Sequence, residues 1–187
     1  AEVRAGEKTV ECTPGTAVLI PAGMERSISN TGTDRLTCYS FTAEVGTGEG
    51  TSEGKEQEFL VIPPDSVRPV SFENPSDRMY YSVTRLLQPA ETPLPIPYDL
   101  ILSSVPAGGR IDEHYINGSS QLVIPVRGSA NITVSATTAG VWPGDILYIP
   151  ENAVQIYEAI EDLDMIVVTW PYYRAENDHY TSTSGPD

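Results

Sequence analysis

Four polar side chains in the second half of the chain have the residue types that could bind a small ligand or a metal ion: Asp112, His114, Gln121 and Gln155. Alternation along a strand puts Arg110, Asp112 and His114 on one face. A divalent transition metal, if one binds, would have His114, Asp112 and Gln121 as ligands. One imidazole with neutral amides makes a weak site, and Arg110 would neutralise Asp112. We therefore expect no metal cofactor, and a structural His114 hydrogen-bonded to Gln121 or Gln155.

Arg26 is a further candidate, because a guanidinium presents a fixed fork of donors that suits a carboxylate or a phosphate. If its side chain faces the protein interior, it predicts an anion site. Two other interpretations stay open: an ion pair with an interior acid such as Glu11, and a position at the rim. The sequence has no Ser/His/Asp order, phosphate-binding loop, dinucleotide fingerprint or Cys-x-x-Cys pair.

The elements that must position these candidates follow a pattern that occurs twice, at residues 15–26 and 144–155. In each copy a turn glycine opens a run of five largely apolar residues, and a proline closes it. Such a run, followed by a second turn, predicts a strand–turn–strand unit. One copy ends at Arg26 and the other at Gln155.

The repeated pattern resembles the second sequence motif of the cupin superfamily, where a glycine, a proline, a glycine, a histidine and an asparagine recur at fixed spacing. Upstream of the second copy, residues 108–128 resemble the first cupin motif, with His114 at its first histidine position. The resemblance implies an all-β fold of double-stranded β-helix (jelly-roll) cupin barrels. Because the second motif occurs twice, it also implies two such units, a bicupin.

The metal positions that the resemblance implies are degenerate in this chain. A cupin enzyme holds iron, manganese, nickel, copper or zinc with three histidines and a glutamate. The corresponding residues here are His114, Ile116, Gln121 and Gln155, and Arg26 replaces the histidine of the first copy. The resemblance therefore covers the fold better than the activity.

Turn residues and alternation divide the chain into four predicted parts. They are a partial first cupin unit at 1–43, a flexible linker or loop at 44–56, a second barrel with lead-in strands at 57–171, and a polar tail at 172–187. The strands predicted before the second barrel's first motif are 2–4, 8–12, 16–20, 25–30, 35–43, 57–62, 67–72, 78–87 and 97–105. We expect the tail to be mobile or to act as an arm against another subunit of a homo-oligomer.

The spacing of the motifs also predicts that the first barrel is incomplete. In the second unit the first motif ends sixteen residues before the second begins, so its counterpart in the first unit would precede residue 1. A sheet that lacks strands leaves an open edge, which proteins usually cover. A missing N-terminal segment or a second polypeptide would complete the barrel, unless the unit is a reduced sandwich.

Charge excludes two classes of partner. The 187 residues include 26 Asp+Glu against 11 Lys+Arg, a formal charge of −15, which repels nucleic acid and anionic membranes. No apolar run approaches the roughly 18 residues of a membrane span, so we expect a soluble protein, cytoplasmic or exported. Cys12 and Cys38 flank the first repeat and could form a disulfide, although two buried free thiols are the more common outcome.

Two functions of different classes are consistent with these features. The first is a metal-independent cupin-fold protein that binds a small polar ligand, a sugar or an organic acid, or has a structural role. Its pocket would be formed by His114, Gln121, Gln155, Tyr148 and Trp142, with anions favoured at Arg26. The second is a metal-dependent cupin enzyme, an oxygenase, isomerase or lyase, with an unusual ligand set or with ligands in the missing segment.

Overall fold

The computed structural model describes residues 1–44, 59–92 and 96–181. The chain divides into two compact units, Ala1–Val67 and Arg68–Asp187. Apart from Glu44, the predicted linker at 44–56 lies outside the described residues. The strands of the first unit are β1 (Glu2–Ala5), β2 (Lys8–Glu11), β3 (Ala17–Leu19), β4 (Arg26–Ser29) and β5 (Leu60–Ile62).

The first unit consists of two small antiparallel sheets, one of order β2-β1-β4 and one that pairs β3 with β5. Its buried apolar side chains include Val3, Ala5, Leu19 and Ile62. The predicted strand at 35–43 is not formed, because no described strand pairs with this largely exposed segment. We predicted β5 as a lead-in to the second barrel, but it belongs to the first unit because its backbone hydrogen bonds go to β3.

The second unit contains eleven strands within the described residues. They are β6 (Val70–Glu73), β7 (Tyr80–Leu87), β8 (Asp99–Val105), β9 (Arg110–Ile116), β10 (Ser120–Arg127), β11 (Ala130–Val134), β12 (Thr137–Val141), β13 (Leu147–Ile149), β14 (Gln155–Ala159), β15 (Leu163–Trp170) and β16 (Asp178–Tyr180). They form a six-stranded sheet of order β13-β10-β15-β8-β7-β6 and a five-stranded sheet of order β12-β11-β14-β9-β16. All neighbouring strands are antiparallel.

The inner faces of these two sheets form one hydrophobic core. Alternation along β15 buries Leu163, Met165 and Val167, and the five-stranded sheet contributes Ile132 and Tyr157. Each such side chain stabilises the fold by roughly 1.5–3 kcal/mol when it is fully buried. The second unit is therefore a double-stranded β-helix, the jelly-roll architecture that the sequence predicted.

Part of the predicted polar tail belongs to this architecture. Residues 172–181 continue through a short 3-10 turn at Ala175–Asn177 into β16, which pairs with β9 and forms an edge of the five-stranded sheet. Tyr173 and Tyr180 explain the difference from the prediction, because both rings are partly buried against the unit. The rest of the tail, residues 182–187, lies outside the described residues.

Two smaller findings concern the cysteines and the helices. Cys12 is half-buried and its burial raises the pKa of its thiol, Cys38 is exposed, and both are free. The exposure of Cys38 differs from the expected burial because segment 35–43 is not a strand.

In the part of the chain that the structure describes, no helix has the length and apolar character to cross a membrane.

Candidate ligand-binding cavity

A cavity of about 250 Å³ lies inside the second unit, between its two sheets. The side chains that line it are apolar at one end of β15 and polar at the other, and β8 likewise has a carboxylate at the end beside Thr169. On β15 the series is Met165, Val167 and Thr169, and β8 begins with the inward side chains of Asp99 and Ile101. One end of the jelly roll is therefore a packed core, and the other end holds polar groups around a space.

A chain of hydrogen bonds between side chains runs along the cavity. The Tyr157 hydroxyl donates to Gln155 Oε1 over 2.7 Å, and Gln155 Nε2 donates to Gln121 Oε1 over 2.8 Å. Gln121 Nε2 then donates to Thr169 Oγ1 over 3.3 Å. All four side chains are buried. Because each amide uses its oxygen to accept and its nitrogen to donate, both glutamine orientations are defined by their neighbours.

His114 is held in one tautomer by the backbone. Its Nδ1 lies 2.7 Å from the carbonyl oxygen of Asp112, and a carbonyl only accepts, so Nδ1 carries the hydrogen. In the neutral ring Nε2 is then an acceptor. The buried ring lies between Tyr157 and Tyr180, with centroid distances of 6.2 and 5.4 Å. The expected hydrogen bond to Gln121 or Gln155 is not formed, although Gln155 is the β-sheet partner of His114.

Asp112 does not share the cavity with His114. Gln155 pairs with His114 but Tyr157 pairs with Ile111, so β9 has one extra residue between these positions. Such a β-bulge reverses the alternation, and Ile111 lines the cavity where strict alternation put Asp112. Arg110 and Asp112 are in contact as predicted, but His114 does not share their face.

The carboxylate of Asp112 has other partners, all near the start of β9. It accepts hydrogen bonds from Ser76 N at 2.8 Å and Ser76 Oγ at 2.5 Å, and Arg110 Nε lies 2.9 Å away. Asn74 Oδ1 accepts the backbone N–H of Asp112 at 2.9 Å. These contacts link β9 to the 74–78 turn, so the role of Asp112 is structural.

Two other carboxylates border the cavity, Asp99 on β8 and Asp178 on β16. Tyr173 joins them, since its backbone N–H donates to Asp99 Oδ2 and its hydroxyl to Asp178 Oδ2, each over 3.0 Å. The remaining oxygen of each, Oδ1, is buried and has no hydrogen-bond partner among the described residues. Burial raises the pKa of the Asp99 carboxyl, while Tyr173 N–H and the neighbouring Thr169 hydroxyl act in the opposite direction.

Tyrosines and one arginine complete the walls. The Tyr81 and Tyr180 hydroxyls lie 3.0 Å apart and share one hydrogen bond. The Arg85 guanidinium lies over the Tyr173 ring, 5.0 Å from its centroid. Burial raises the pKa values of Tyr81, Tyr173 and Tyr180, so these phenols stay protonated and act as neutral donors and acceptors.

Of the six predicted pocket residues, His114 and Gln121 border the cavity, whereas Gln155, Tyr148, Trp142 and Arg26 do not. Tyr148 is 54% exposed and Trp142 is 58% exposed, and neither borders the cavity. Tyr148 faces outward because its neighbour Ile149 takes the inward position on β13. Arg26 is exposed on β4 of the first unit, whereas the cavity is lined by residues of the second unit. The anion site at Arg26 required an inward-facing side chain, which Arg26 does not have, and anion binding there stays a prediction.

The structure adds five functional candidates that the sequence analysis did not identify: Arg85, Asp99, Tyr173, Asp178 and Tyr180. The sequence contained a signal for Asp99. Period-two alternation, counted from the buried Val105 towards the start of β8, puts Ser103, Ile101 and Asp99 on the inner face. No comparable signal existed for the two residues of β16, because nothing in a polar segment shows which strand edge it will join.

The residues around His114 do not fit the metal site that the cupin resemblance implies. Ile116 has no donor atom, and the amides of Gln121 and Gln155 are already engaged with each other. Within residues 1–44, 59–92 and 96–181, no group of three or more His, Cys, Asp or Glu side chains could hold a metal ion. No reaction step can therefore be derived through a metal at this position.

No protein-family model and no curated protein matches the chain in sequence. Solved structures do match. One is PAC13 of Streptomyces, a histidine-to-glutamine variant with uridine, at TM-score 0.53, 13% identity, and coverage of 65% of this chain and 89% of that one. The second unit has the cupin jelly-roll fold. At this identity the likeness is to the fold alone.

Two oxalate decarboxylase structures have the same likeness. A predicted oxalate decarboxylase from Thermotoga maritima matches at TM-score 0.53 and 14% identity, over 59% of this chain and 98% of that one. The Lactobacillus farciminis oxalate decarboxylase with formate matches at TM-score 0.54 and 19% identity, over 65% of this chain. The matched region spans 35% of that enzyme.

Proposed function

We propose that the second unit binds a small polar molecule in the cavity between its sheets, without a metal ion. The observation that carries the proposal is that two buried carboxylate oxygens, Oδ1 of Asp99 and Oδ1 of Asp178, belong to residues that border the cavity and have no hydrogen-bond partner among residues 1–44, 59–92 and 96–181. Taking a carboxylate out of water without a full set of hydrogen bonds is costly. A jelly roll with a purely structural role would be more stable with apolar side chains at these positions.

The walls support the same proposal. Ligand sites combine aromatic and apolar surface with a few convergent polar groups, and this cavity combines four tyrosine rings with the hydrogen-bonded side chains of Gln121 and Thr169. Its volume of about 250 Å³ lies just below the range of about 300–1,000 Å³ for drug-sized ligands. The ligand is therefore small.

The test is a ligand-observed NMR screen of a broad set of small metabolites against protein treated with a chelator. We expect ligands to bind wild type and none to bind Ser103→Phe. Ser103 is buried and lines the cavity, so the phenylalanine ring would fill the space that the ligand needs. Ser104→Phe is the matched control, because the adjacent side chain lies on the opposite face of β8 and should leave binding unchanged. Circular dichroism checks that both variants fold.

Elemental analysis distinguishes metal-independent ligand binding from the alternative, a metal-dependent enzyme. We expect well below one transition metal ion per chain in purified protein. About one iron, manganese, nickel, copper or zinc per chain, lost in His114→Ala, would overturn the proposal in favour of the enzyme. Hits that bind Ser103→Phe as well as wild type would place the site outside the cavity and overturn it too.

A further inference from the structure

We propose that the ligand is a neutral polyhydroxy compound of monosaccharide size, and that Asp99 and Asp178 accept hydrogen bonds from its hydroxyl groups. This inference rests on the proposed function, since it requires that the cavity binds a ligand. It selects the sugar from the two ligand classes that the sequence left open, and it excludes the organic acid.

The two unpartnered oxygens are the first step of the argument. Asp99 is 2% exposed, and its Oδ1 and the Oδ1 of Asp178 are both buried without a partner in the described part of the chain. Their other oxygens are bound to the two ends of one residue, Tyr173. Each carboxylate therefore has one oxygen that can still accept a hydrogen bond. The pair matches a ligand with at least two hydrogen-bond donors.

The charge of the cavity excludes an organic acid. Asp99 and Asp178 bring two carboxylates against the single guanidinium of Arg85. A ligand carboxylate has only acceptor oxygens, so it could not bond to either Oδ1 when the two aspartates are ionised. It would also repel both aspartates in a buried site, where screening by water is weak.

The donors in the cavity argue against a purely cationic ligand. Arg85 has guanidinium N–H groups, and the Tyr81–Tyr180 pair has one hydroxyl hydrogen beyond the bond that they share. An ammonium group has no lone pair to accept these hydrogens. A hydroxyl group both donates and accepts, so several hydroxyls on one small scaffold can satisfy the aspartates and these donors together.

The aromatic walls fit the same ligand class. Tyr157, His114 and Tyr180 form a stack of rings along one side, and Phe72 stacks on Tyr81 with centroids 5.5 Å apart. Such rings offer apolar surface to the C–H face of a sugar ring, while their polar edges remain available for hydrogen bonds.

The experiment is isothermal titration calorimetry of metal-free protein with matched sets of sugars. The neutral set is D-glucose, D-galactose, D-mannose and D-ribose. The charged sets are D-glucuronate, D-galacturonate, D-glucosamine and D-galactosamine. We expect at least one neutral sugar to bind ten times or more tightly than its uronate and its amino sugar.

Substitutions then test the two aspartates. Asp99→Asn and Asp178→Asn should each weaken that sugar by about tenfold or more, the effect of losing one charge-assisted hydrogen bond, and should reduce the discrimination against the uronate. Glu151→Gln is the control, since Glu151 is exposed and should bind as wild type. If Asp99→Asn does not fold, Asp178→Asn on β16 decides.

Three results would overturn this inference: a uronate or an amino sugar that binds more tightly than its neutral partner, asparagine variants that bind as wild type does, or no binding by any neutral sugar. The proposed function survives any of these if the broader screen still finds a ligand that Ser103→Phe abolishes. If that screen also finds nothing, both proposals fail.

Discussion

The two copies of the repeated motif have the same turns. In the first copy Thr16 N donates to Thr13 O, and in the second Asp145 N donates to Trp142 O, each over 3.1 Å. The second turn repeats as well, with bonds from Met24 to Pro21 at 3.4 Å and from Ala153 to Pro150 at 3.2 Å. The opening glycines, Gly15 and Gly144, both have positive φ. The repeat found in the sequence is therefore a repeat of backbone geometry.

The strands that follow these turns differ in their surroundings. Ile28 on β4 is 50% exposed, whereas its counterpart Tyr157 on β14 is 3% exposed. Strand β4 pairs with β1, while β14 lies between β11 and β9 and faces the six-stranded sheet. Arg26 is accordingly exposed and Gln155 buried. The motif determines the turns, and the strands around it determine whether a polar side chain is buried.

The largest expected difference is between Tyr157→Ala and Ile28→Ala. Removing the buried ring of Tyr157 leaves a cavity and deletes the hydroxyl that donates to Gln155. We expect a loss of about 3–5 kcal/mol in the free energy of unfolding. Ile28 is half-exposed, so Ile28→Ala should cost well under half of that. Urea unfolding followed by tyrosine and tryptophan fluorescence measures both. Equal losses would show that β4 is buried to the same degree as β14.

A smaller contrast is expected at the last position of each motif copy. Gln155→Ala leaves the Tyr157 hydroxyl and Gln121 Oε1 buried without their partner, and each such group costs about 1–3 kcal/mol. Arg26→Ala changes an exposed side chain, for which about 0.5 kcal/mol or less is usual. Thermal unfolding separates the two cases. A loss from Arg26→Ala as large as that from Gln155→Ala would contradict the exposed position of Arg26.

The fold was predictable because its signals are local. Turn glycines, closing prolines and period-two alternation lie within a few residues of one another, and they predicted many of the strands. The resemblance of these motifs to those of the cupin superfamily implied the jelly roll. They also identified His114 and Gln121 as inward-facing residues. The bicupin organisation and the completion of the first unit by other polypeptide remain predictions.

The failures have a common physical cause, since they depend on how distant segments pair. The bulge in β9 is one extra residue, and because of it Ile111 lines the cavity where Asp112 was predicted. The outward face of Tyr148 depends on the register between β13 and β10. Asp178 and Tyr180 reach the cavity because β16 pairs with β9. Local alternation contains no information about any of these pairings.

The pH dependence of stability should differ between the cavity and the rest of the protein. Burial raises the pKa of Asp99 above its ordinary 3.8, so the folded protein holds this proton over a pH range where the unfolded chain has lost it. The contribution of Asp99 is therefore most favourable below about 3.8 and is lost as pH rises through the raised, folded value.

Asp99→Asn isolates this contribution, because the amide does not titrate. We expect wild type to lose stability relative to Asp99→Asn as pH rises from about 3.8 through the folded pKa, measured by urea unfolding at several pH values. Asp164→Asn is a matched control on the next strand of the same sheet, since Asp164 pairs with Arg127 outside the cavity. A constant difference between wild type and Asp99→Asn across this range would contradict the raised pKa.

The smallest effect should come from exchanging the residues at the second turn of each motif copy. Gly23 and Asn152 occupy the same place, with φ of +78° and +62°. Asparagine tolerates this left-handed conformation better than other residues with a side chain, and a Cβ at Gly23 would meet nothing within 4 Å. Gly23→Asn should therefore change the free energy of unfolding by about 0.5 kcal/mol or less. Gly23→Val, which is β-branched, should cost about 1–2 kcal/mol.

The reverse change, Asn152→Gly, loses only a long contact of 3.4 Å with the backbone of Gly118 and gains backbone entropy in the unfolded chain, which together should cost up to about 1 kcal/mol. Thermal unfolding of the three variants compares them directly. If Gly23→Asn destabilises as much as Gly23→Val, the two turns are not equivalent, and the repeat would extend to the strands but not to the turn between them.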